Sequence, residues 1–257
     1  MSHQIAQIYY HIDLDQKQEI LIDADNVKGN IVFPPLDKKD VKIRDLRISR
    51  EMPSFERDSI EFFDHETSVD SFYTSDFEPT YNLELVKLLK DKLSIKEAII
   101  FDHTIREDKK TVRPPARHAH IDYSDRSTRE QIERFVDKER RALWLEGHYA
   151  IVNIWRPLEN IVKSAPLGFL HPMSLGKQDL IEIDLNYPNR KGEVIGCLYN
   201  SDHEWIYLSD MRPDEVVLFN MFDSESRGPV VHSAFDLKDS HNGAIRKSIE
   251  SRILIRY

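Results

Sequence analysis

The segment Arg117-His-Ala-His-Ile-Asp-Tyr123 combines imidazoles and a carboxylate at a spacing that suits metal binding. Alternate side chains of a β-strand share a face, so His120 and Asp122 are expected to project the same way, about 7 Å apart along the strand. An imidazole and a carboxylate placed like this can take two adjacent positions on an octahedral metal ion. His120 and Asp122 are therefore predicted to be metal ligands.

The same spacing occurs a second time, in His11-Ile12-Asp13. With 11 histidines and 45 acidic residues in the chain, such a pair also arises by chance. His120 lies just ahead of the β-rich half of the chain, where a later strand can bring a third ligand beside it, whereas His11 lies far before that half. We therefore favour the pair at 120 and 122 and interpret the pair at 11 and 13 as coincidental.

A third ligand is expected on a late strand, and His232 lies in the apolar run Val230–Phe235. His203 and His241 occur in polar, turn-like segments and His171 precedes a proline, so these three are weaker candidates. Two imidazoles and one carboxylate on one face of a metal leave three positions open, which is how non-haem Fe(II) oxygenases bind O₂ and substrate together. The alternative for His232 is a core histidine bonded to a backbone group.

A candidate anion anchor opens the last predicted strand, where Arg246 and Ser248 share a face. An arginine can hold a carboxylate with two parallel, charge-assisted hydrogen bonds, as an organic acid that chelates the metal would require. Arg252 lies on the same face and is the rival anchor, and Glu250 between them can neutralise one of the two. The alternative for Arg246 is a solvated basic residue at the start of a strand.

The elements that must position these residues are mainly strands. We predict a helix capped by Asn82, then a short buried strand at Ala98–Phe101 and a charged loop at 106–117. The capping box Ser127-Thr-Arg-Glu130 predicts the start of a second helix, with Leu143 on its buried side. Residues 51–79 are expected to form an irregular connector, and Trp205–Met221 a hairpin. The predicted strands are Ile5–Ile12, Ile20–Ile22, Asn30–Phe33, Arg117–Tyr123, Tyr149–Trp155, Leu180–Leu185, Val194–Tyr199, Trp205–Ser209, Val216–Met221, Val230–Phe235 and Ile249–Tyr257.

This series of short strands predicts a mainly β fold with flanking α-helices and a double-stranded β-helix core, that is, a jelly roll of the cupin-like kind. We expect a single domain over residues 1–257, with a mixed α/β N-terminal extension (1–95) packed on the β-helix core (96–257).

Composition excludes several functions. The net charge of −9 argues against duplex nucleic acid as a partner, and only 8 glycines leave no glycine-rich phosphate loop. No stretch approaches the roughly 20 apolar residues of a membrane helix. Cys197 is the only cysteine, so no intrachain disulfide can form, which fits a reducing compartment. We expect a cytoplasmic protein with a small-molecule substrate and neither a nucleic-acid nor a membrane partner; the oligomeric state is left open.

The combination of His-x-Asp, a distal His, and Arg-x-Ser on the last strand resembles the 2-oxoglutarate/Fe(II)-dependent dioxygenase superfamily. The chain more closely resembles the hydroxylase/desaturase family that includes AsaB-type, gibberellin desaturase-like and cephem methoxylase-related proteins. The segments that carry this closer match are Arg117–Ser124, Ile151–Leu158, Ser164–Gly168, Asp202–Tyr207, Asp214–Phe219 and Arg246–Arg252.

The resemblance implies Fe(II), O₂ and the cosubstrate 2-oxoglutarate, with hydroxylation or desaturation of an unactivated C–H bond of an amino acid or secondary metabolite. Asn153 and Trp155 share a face of their strand and Arg156 ends it. Asn153 is then a candidate for binding cosubstrate or substrate, and Arg156 for a substrate carboxylate. Trp155, Tyr123 and His118 are further candidates for the substrate pocket. Structural roles are the alternative for all five.

Three other functions remain open on the sequence alone. The first is a 2-oxoglutarate-independent non-haem iron oxidase that catalyses oxidative cyclisation or desaturation. The second is a zinc hydrolase or isomerase on a cupin-like fold, since imidazole and carboxylate also suit zinc. The third is a ligand-binding module whose histidines are structural.

Overall fold

A computed structural model describes residues 3–74, 76–109, 113–225, 227–238 and 244–257. Strands dominate these ranges, and they are β1 (His3–His11), β2 (Gln18–Ile22), β3 (Ile31–Val32), β4 (Leu36–Asp45), β5 (Ile60–Asp64), β6 (Glu97–Glu107), β7 (His120–Ile121), β8 (Tyr149–Pro157), β9 (Leu167–Leu170), β10 (Leu180–Asn186), β11 (Lys191–Cys197), β12 (Trp205–Tyr207), β13 (Glu215–Asp223), β14 (His232–Ala234), β15 (Asp236–Leu237) and β16 (Lys247–Arg256). The α-helices are α1 (Leu46–Ser49), α2 (Phe55–Asp58), α3 (Phe77–Lys92), α4 (Asp125–Phe135) and α5 (Arg141–Leu145). Short 3₁₀ turns occupy Ala24–Asn26, Lys138–Arg140, Pro172–Ser174 and Lys177–Asp179.

The strands form two sheets. The larger sheet has the order β15-β1-β4-β12-β9-β14-β7-β11-β10-β2-β3, and the smaller has the order β5-β13-β8-β16-β6. The predicted strand content and the flanking helices are therefore confirmed. Residues before position 96 supply β1 to β4 to the larger sheet and β5 to the smaller one.

The smaller sheet is covered on both faces. Along β8, Ile151 and Trp155 belong to the apolar cluster shared with the larger sheet. Val152 and Ile154 belong to a second cluster, which they share with Leu85 and other residues of α3. All nine residues of β8 are buried for this reason. A strand covered on both faces has a nearly continuous apolar sequence rather than an alternating one.

Both predicted helix caps are wrong by a few residues. Helix α3 begins after Asp76, so Asn82 lies within it, where its Oδ1 accepts a hydrogen bond from Nε2 of His103 at 2.8 Å. Helix α4 is capped by Ser124, which exchanges hydrogen bonds with Ser127 in a capping box. Leu143, predicted on the buried side, is 52% exposed, and its neighbour Trp144 is buried in its place.

The predicted hairpin Trp205–Met221 is also wrong, because its two halves lie in different sheets. β12 pairs in parallel with β4 and antiparallel with β9 in the larger sheet. β13 pairs with β5 and β8 in the smaller sheet. The expected connector at 51–79 is likewise wrong in part, because it contains α2 and β5. Among the described residues, none of the helices has the length and apolar character needed to cross a lipid bilayer.

Candidate metal centre

Strand pairing brings His120 and His232 together. β7 lies between β11 and β14 in the larger sheet, and His120 is directly opposite His232 in the antiparallel β7–β14 pair. Side chains opposite one another in such a pair are nearest neighbours on one face, and here the ring centroids are 4.4 Å apart. Asp122 follows two residues after His120. One nitrogen or oxygen atom from each of His120, Asp122 and His232 lies within 4.8 Å of the others.

The ring orientation of His120 is fixed by a backbone hydrogen bond. Its Nδ1 donates to the carbonyl oxygen of His118 at 2.7 Å. A carbonyl can only accept, so the neutral ring carries its proton on Nδ1 and has a free lone pair on Nε2. Nε2 lies 3.3 Å from Oδ1 of Asp122. This is close to the separation of about 3 Å between adjacent ligands whose bonds to one metal are near 2.1 Å.

The carboxylate of Asp122 is held by its other oxygen. Oδ2 accepts hydrogen bonds from Nδ2 of Asn153 and from Nε of Arg252, both at 2.9 Å. Burial alone would raise the pKa of Asp122, but the Arg252 guanidinium holds that pKa well below its usual value. The carboxylate is therefore ionised, with Oδ1 directed towards the histidines.

The imidazoles of His232 and His118 are neutral. Burial and the neighbouring His120 lower the pKa of His232 to about 3. The same causes, with His11, hold the pKa of His118 well below its usual value. Neutral imidazole and ionised carboxylate are the ligand forms that bind a metal. Two such imidazoles and one carboxylate on one side fit a divalent iron ion.

A second layer of histidines lies behind His120. The ring of His118 stacks on that of His120 with centroids 4.3 Å apart, and its Nδ1 lies 3.2 Å from Nε2 of His11. His11 is buried here, whereas Asp13 is exposed, so the second His-x-Asp copy contributes a neighbour of the site. The other candidates lie elsewhere: His203 is bonded to Asp179, and His171 is 3.7 Å from Asp58. His241 lies outside the described residues.

Arg246 is a buried cation with an unused donor. It is 3% exposed, and its guanidinium donates to the carbonyl of Ala165 and lies 5.5 Å over the ring of Trp155. Its Nε and the hydroxyl oxygen of Ser248 are both buried and have no hydrogen-bond partner among the described residues. Burial and the nearby Arg106 lower the pKa of Arg246 to about 9. An anion bound beside Arg246 would use the free donors and remove this electrostatic cost.

The two other predicted arginines already bind groups of the protein. Arg252, the rival anchor, binds the carboxylates of Asp122, Asp102 and Glu250. Arg156 follows Trp155 in β8 and therefore points to the opposite face of the smaller sheet. Its guanidinium donates there to the carbonyl of His65. The structure does not bring Arg156 to the metal ligands.

A cavity of about 880 Å³ opens over His120 and Asp122, and His118, Tyr123 and Arg252 also line it. Its wall includes Arg106, which the sequence analysis did not single out. The signal that could have identified Arg106 is the alternation of side chains between the two faces of β6. Asp102, Thr104 and Arg106 lie opposite Arg252, Glu250 and Ser248 in the pairing with β16, so they share the face that carries the site.

Residues 8–256 match a family model described as an oxidoreductase/YMDC permease-like domain. The chain belongs to this family. One relative is the alpha-ketoglutarate-dependent dioxygenase phiK of Fungal sp. It is 27% identical to this chain over 257 residues, with 91% of this chain and 90% of the relative covered. Another is the hydroxylase/desaturase asaB of Aspergillus flavus, 35% identical over 129 residues, with 43% of this chain and 56% of the relative covered.

Among solved structures, this chain is similar to the iron and alpha-ketoglutarate-dependent endoperoxidase NvfI. The TM-score is 0.89 at 19% sequence identity, with 100% of this chain and 98% of that chain covered. This likeness shows the fold, and the predicted double-stranded β-helix is confirmed. The predicted resemblance to 2-oxoglutarate-dependent dioxygenases and hydroxylase/desaturases is confirmed by the relatives.

Proposed function

We propose that this protein binds one Fe(II) ion through His120, Asp122 and His232 and uses it to hydroxylate or desaturate a C–H bond of a small molecule. The observation that carries the proposal is the convergence of one ligand atom from each of the three residues within 4.8 Å. The predicted class, an Fe(II)- and 2-oxoglutarate-dependent enzyme acting with O₂ on a small molecule, is confirmed by the dioxygenase and hydroxylase/desaturase relatives. In this class the bound iron supplies O₂ activation, coupled to conversion of 2-oxoglutarate to succinate and CO₂.

The surrounding residues prepare the three ligands. The His118 carbonyl holds the His120 proton on Nδ1, which directs Nε2 to the metal. Asn153 and Arg252 bind one oxygen of Asp122, so that a single oxygen is presented to the metal. With Oδ2 held in this way, Asp122 would offer one oxygen to an iron ion, and this would leave more positions for O₂ and the cosubstrate. Asn153, predicted to bind the cosubstrate, is better supported as a positioning residue for Asp122.

Arg246 and Ser248 are the proposed anchors for 2-oxoglutarate. The unused Nε–H donor of Arg246 and the unpartnered hydroxyl of Ser248 suit the carboxylate far from the metal. Trp155 packs against the Arg246 guanidinium and keeps water away from it. Tyr123 and His118 line the cavity and are proposed to contact the substrate.

Anaerobic addition of Fe(II) and 2-oxoglutarate tests the proposal. We expect a weak visible charge-transfer band that Arg246→Ala abolishes without loss of iron binding. Arg129→Gln, which removes an exposed arginine paired with Asp125, is the matched control and is expected to retain the band. Turnover that persists without 2-oxoglutarate and shows no band would favour the 2-oxoglutarate-independent oxidase.

Metal content tests the ligands directly. We expect His120→Ala and Asp122→Ala each to remove stoichiometric iron, and unchanged metal content in both would contradict the assignment. Stoichiometric zinc after metal-free purification, with activity insensitive to oxygen removal, would favour a zinc enzyme. A screen for succinate release against amino acids and terpenoid acids would identify the kind of substrate.

A further inference from the structure

One side of the cavity over the metal ligands is apolar and is built by N-terminal residues. Ile20, Ile22, Ile31, Phe33 and Leu36 line it. The Phe33 ring centroid lies 4.9 Å from that of His118, so this wall reaches the neighbour of a metal ligand. Phe33 is 39% exposed although it is a large apolar side chain. An apolar wall of this kind gains free energy when a ligand covers it.

A different side of the same cavity is cationic. Arg106 and Arg113 both line it, and neither forms an ion pair with a carboxylate of the described residues. Arg106 donates from Nη1 to the carbonyl of Pro114 at 2.9 Å, and Nη1 of Arg113 lies 3.4 Å from the hydroxyl of Thr104. The nearby carboxylate of Asp102 is already bound by Arg252. Unpaired positive charge here is notable because the whole chain has a net charge of −9.

The electrostatics of Arg106 support an unfilled anion site. Burial, opposed by Glu250 but reinforced by the charges of Arg113 and Arg252, lowers the pKa of Arg106 to about 10. A bound carboxylate would compensate this mutual repulsion. A cation would not be favoured beside Arg106 and Arg113, because both would repel it. Of the carboxylates that line the cavity, Asp102 and Asp122 are paired with Arg252 and Glu193 is paired with Arg126, while Glu130 is exposed.

We propose that the substrate is an apolar molecule that carries a carboxylate, with the acid bound by Arg106 and Arg113 and the hydrocarbon against the Ile20–Leu36 wall. This inference rests on the proposed function, because it assigns the cavity over the metal ligands to the substrate. It disfavours a free amino acid, whose ammonium group would lie beside two unpaired arginines.

The experiment measures binding of two probes with the same chain length and different head groups, the carboxylate decanoate and the uncharged alcohol decanol. Calorimetry is carried out anaerobically with the Fe(II)- and 2-oxoglutarate-loaded protein. We expect decanoate to bind at least about tenfold more tightly than decanol, since hydrogen bonds between charged partners are stronger than those of a neutral hydroxyl. Arg113→Gln and Arg106→Gln are each expected to remove this preference while decanol binding stays unchanged. Arg129→Gln, outside the cavity, is the matched control.

A third variant tests the wall. Phe33→Asn is expected to weaken both probes by a similar factor, because it removes apolar contact without changing the arginines. Equal affinity for decanoate and decanol in the unmodified protein would overturn the proposal. So would a loss of 2-oxoglutarate affinity in Arg106→Gln and Arg113→Gln with the decanoate preference retained, because the carboxylate would then be that of the cosubstrate.

The proposed iron function and the proposed substrate class can be overturned by different results. A charge-transfer band with no decanoate preference would overturn the substrate class and leave the iron function standing. A decanoate preference that the two arginine variants remove, in a protein that binds no stoichiometric iron, would support the carboxylate site and overturn the iron function.

Discussion

Arg252 donates from Nε to Oδ2 of Asp122 at 2.9 Å, while Oδ1 of the same carboxylate faces His120. The guanidinium also donates to Asp102 and Glu250, so one buried side chain links a candidate metal ligand to β6 and β16. Burial alone would lower the pKa of Arg252, but Asp122 and Glu250 raise it well above its usual value. Arg252 thus acts in this structure as the electrostatic support of Asp122 and is not free to bind a cosubstrate.

Asn153→Ala is expected to weaken iron binding by about tenfold or more with little change in fold, because Asp122 loses one of the two hydrogen bonds that orient it. Anaerobic titration of Fe(II) against a competing chelator measures this. Asn200→Ala, which removes an amide that bonds Asp179 away from the site, is the control and should bind iron normally. Equal iron affinity in Asn153→Ala and the unmodified protein would argue against a positioning role.

Arg252→Ala is expected to be more severe and to destabilise the protein. It leaves Asp122 and Glu250 buried without their cation, and removing one partner of a buried ion pair costs about 3–5 kcal/mol. Arg252→Lys keeps the charge but cannot make the same set of directed bonds, so iron affinity should fall while most stability is retained. Urea unfolding, with the iron titration, separates the two effects. A Lys variant with normal iron affinity would show that charge alone supports Asp122.

Binding of 2-oxoglutarate should stabilise the Fe(II)-loaded protein through Arg246. At a concentration of 100 times the dissociation constant, a ligand specific for the folded state adds about 2.7 kcal/mol. Thermal unfolding under anaerobic conditions should show this gain in the unmodified protein, a smaller one in Ser248→Ala, and none at the same concentration in Arg246→Ala. A full gain in Arg246→Ala would place the cosubstrate elsewhere.

Acid should destabilise the metal-free protein through His11. Burial, with a smaller effect of His120, lowers the pKa of His11 from 6.5 to about 4. The unfolded chain therefore takes up a proton near pH 6.5 and the folded chain does not until about pH 4. The corresponding stability is present above pH 6.5 and is lost as the pH falls towards 4, by up to about 3 kcal/mol.

Urea unfolding of the metal-free protein at pH 7 and pH 4.5 measures this loss. In His11→Gln the difference between the two pH values should be smaller, because the titrating group is gone. An unchanged difference would assign the acid sensitivity to other groups.

Gly196 leaves room for His11 beside the candidate metal site. It lies opposite His120 in the β7–β11 pair, and a Cβ atom there would be 2.7 Å from Cδ2 of His11 and 2.5 Å from Cδ1 of Ile183. Gly196→Ala is therefore expected to cost about 1–3 kcal/mol and to weaken iron binding. The double variant Gly196→Ala/His11→Ala should regain part of both losses, because the imidazole is removed. Strictly additive effects in the double-mutant cycle would contradict the contact.

The features that the sequence predicted well are those with a local signal. The apolar runs of β8, β13 and β16 were found because a strand buried on both faces stands out in the sequence. His120 and Asp122 were singled out by their spacing and His232 by its apolar surroundings, and the structure brings the three together.

The features that the sequence did not predict depend on pairing between distant segments. Nothing local shows that Trp205 pairs in parallel with Ile43, which separates β12 from β13. His11 was set aside because of its position in the chain, yet the β1 bridge between Tyr9 and His118 brings it behind the site. Arg156 lies away from the metal ligands because one residue decides which face of a strand a side chain occupies. Arg106 was missed because its strand was predicted to end at Phe101.

Two short strands of the larger sheet are neighbours where the candidate ligands meet. β7 has two residues and β14 has three, so few backbone hydrogen bonds hold the middle of the chain to its end at this seam. An iron ion bound by both His120 and His232 would cross-link the two strands. β7 and β14 should then separate more readily when iron is withheld.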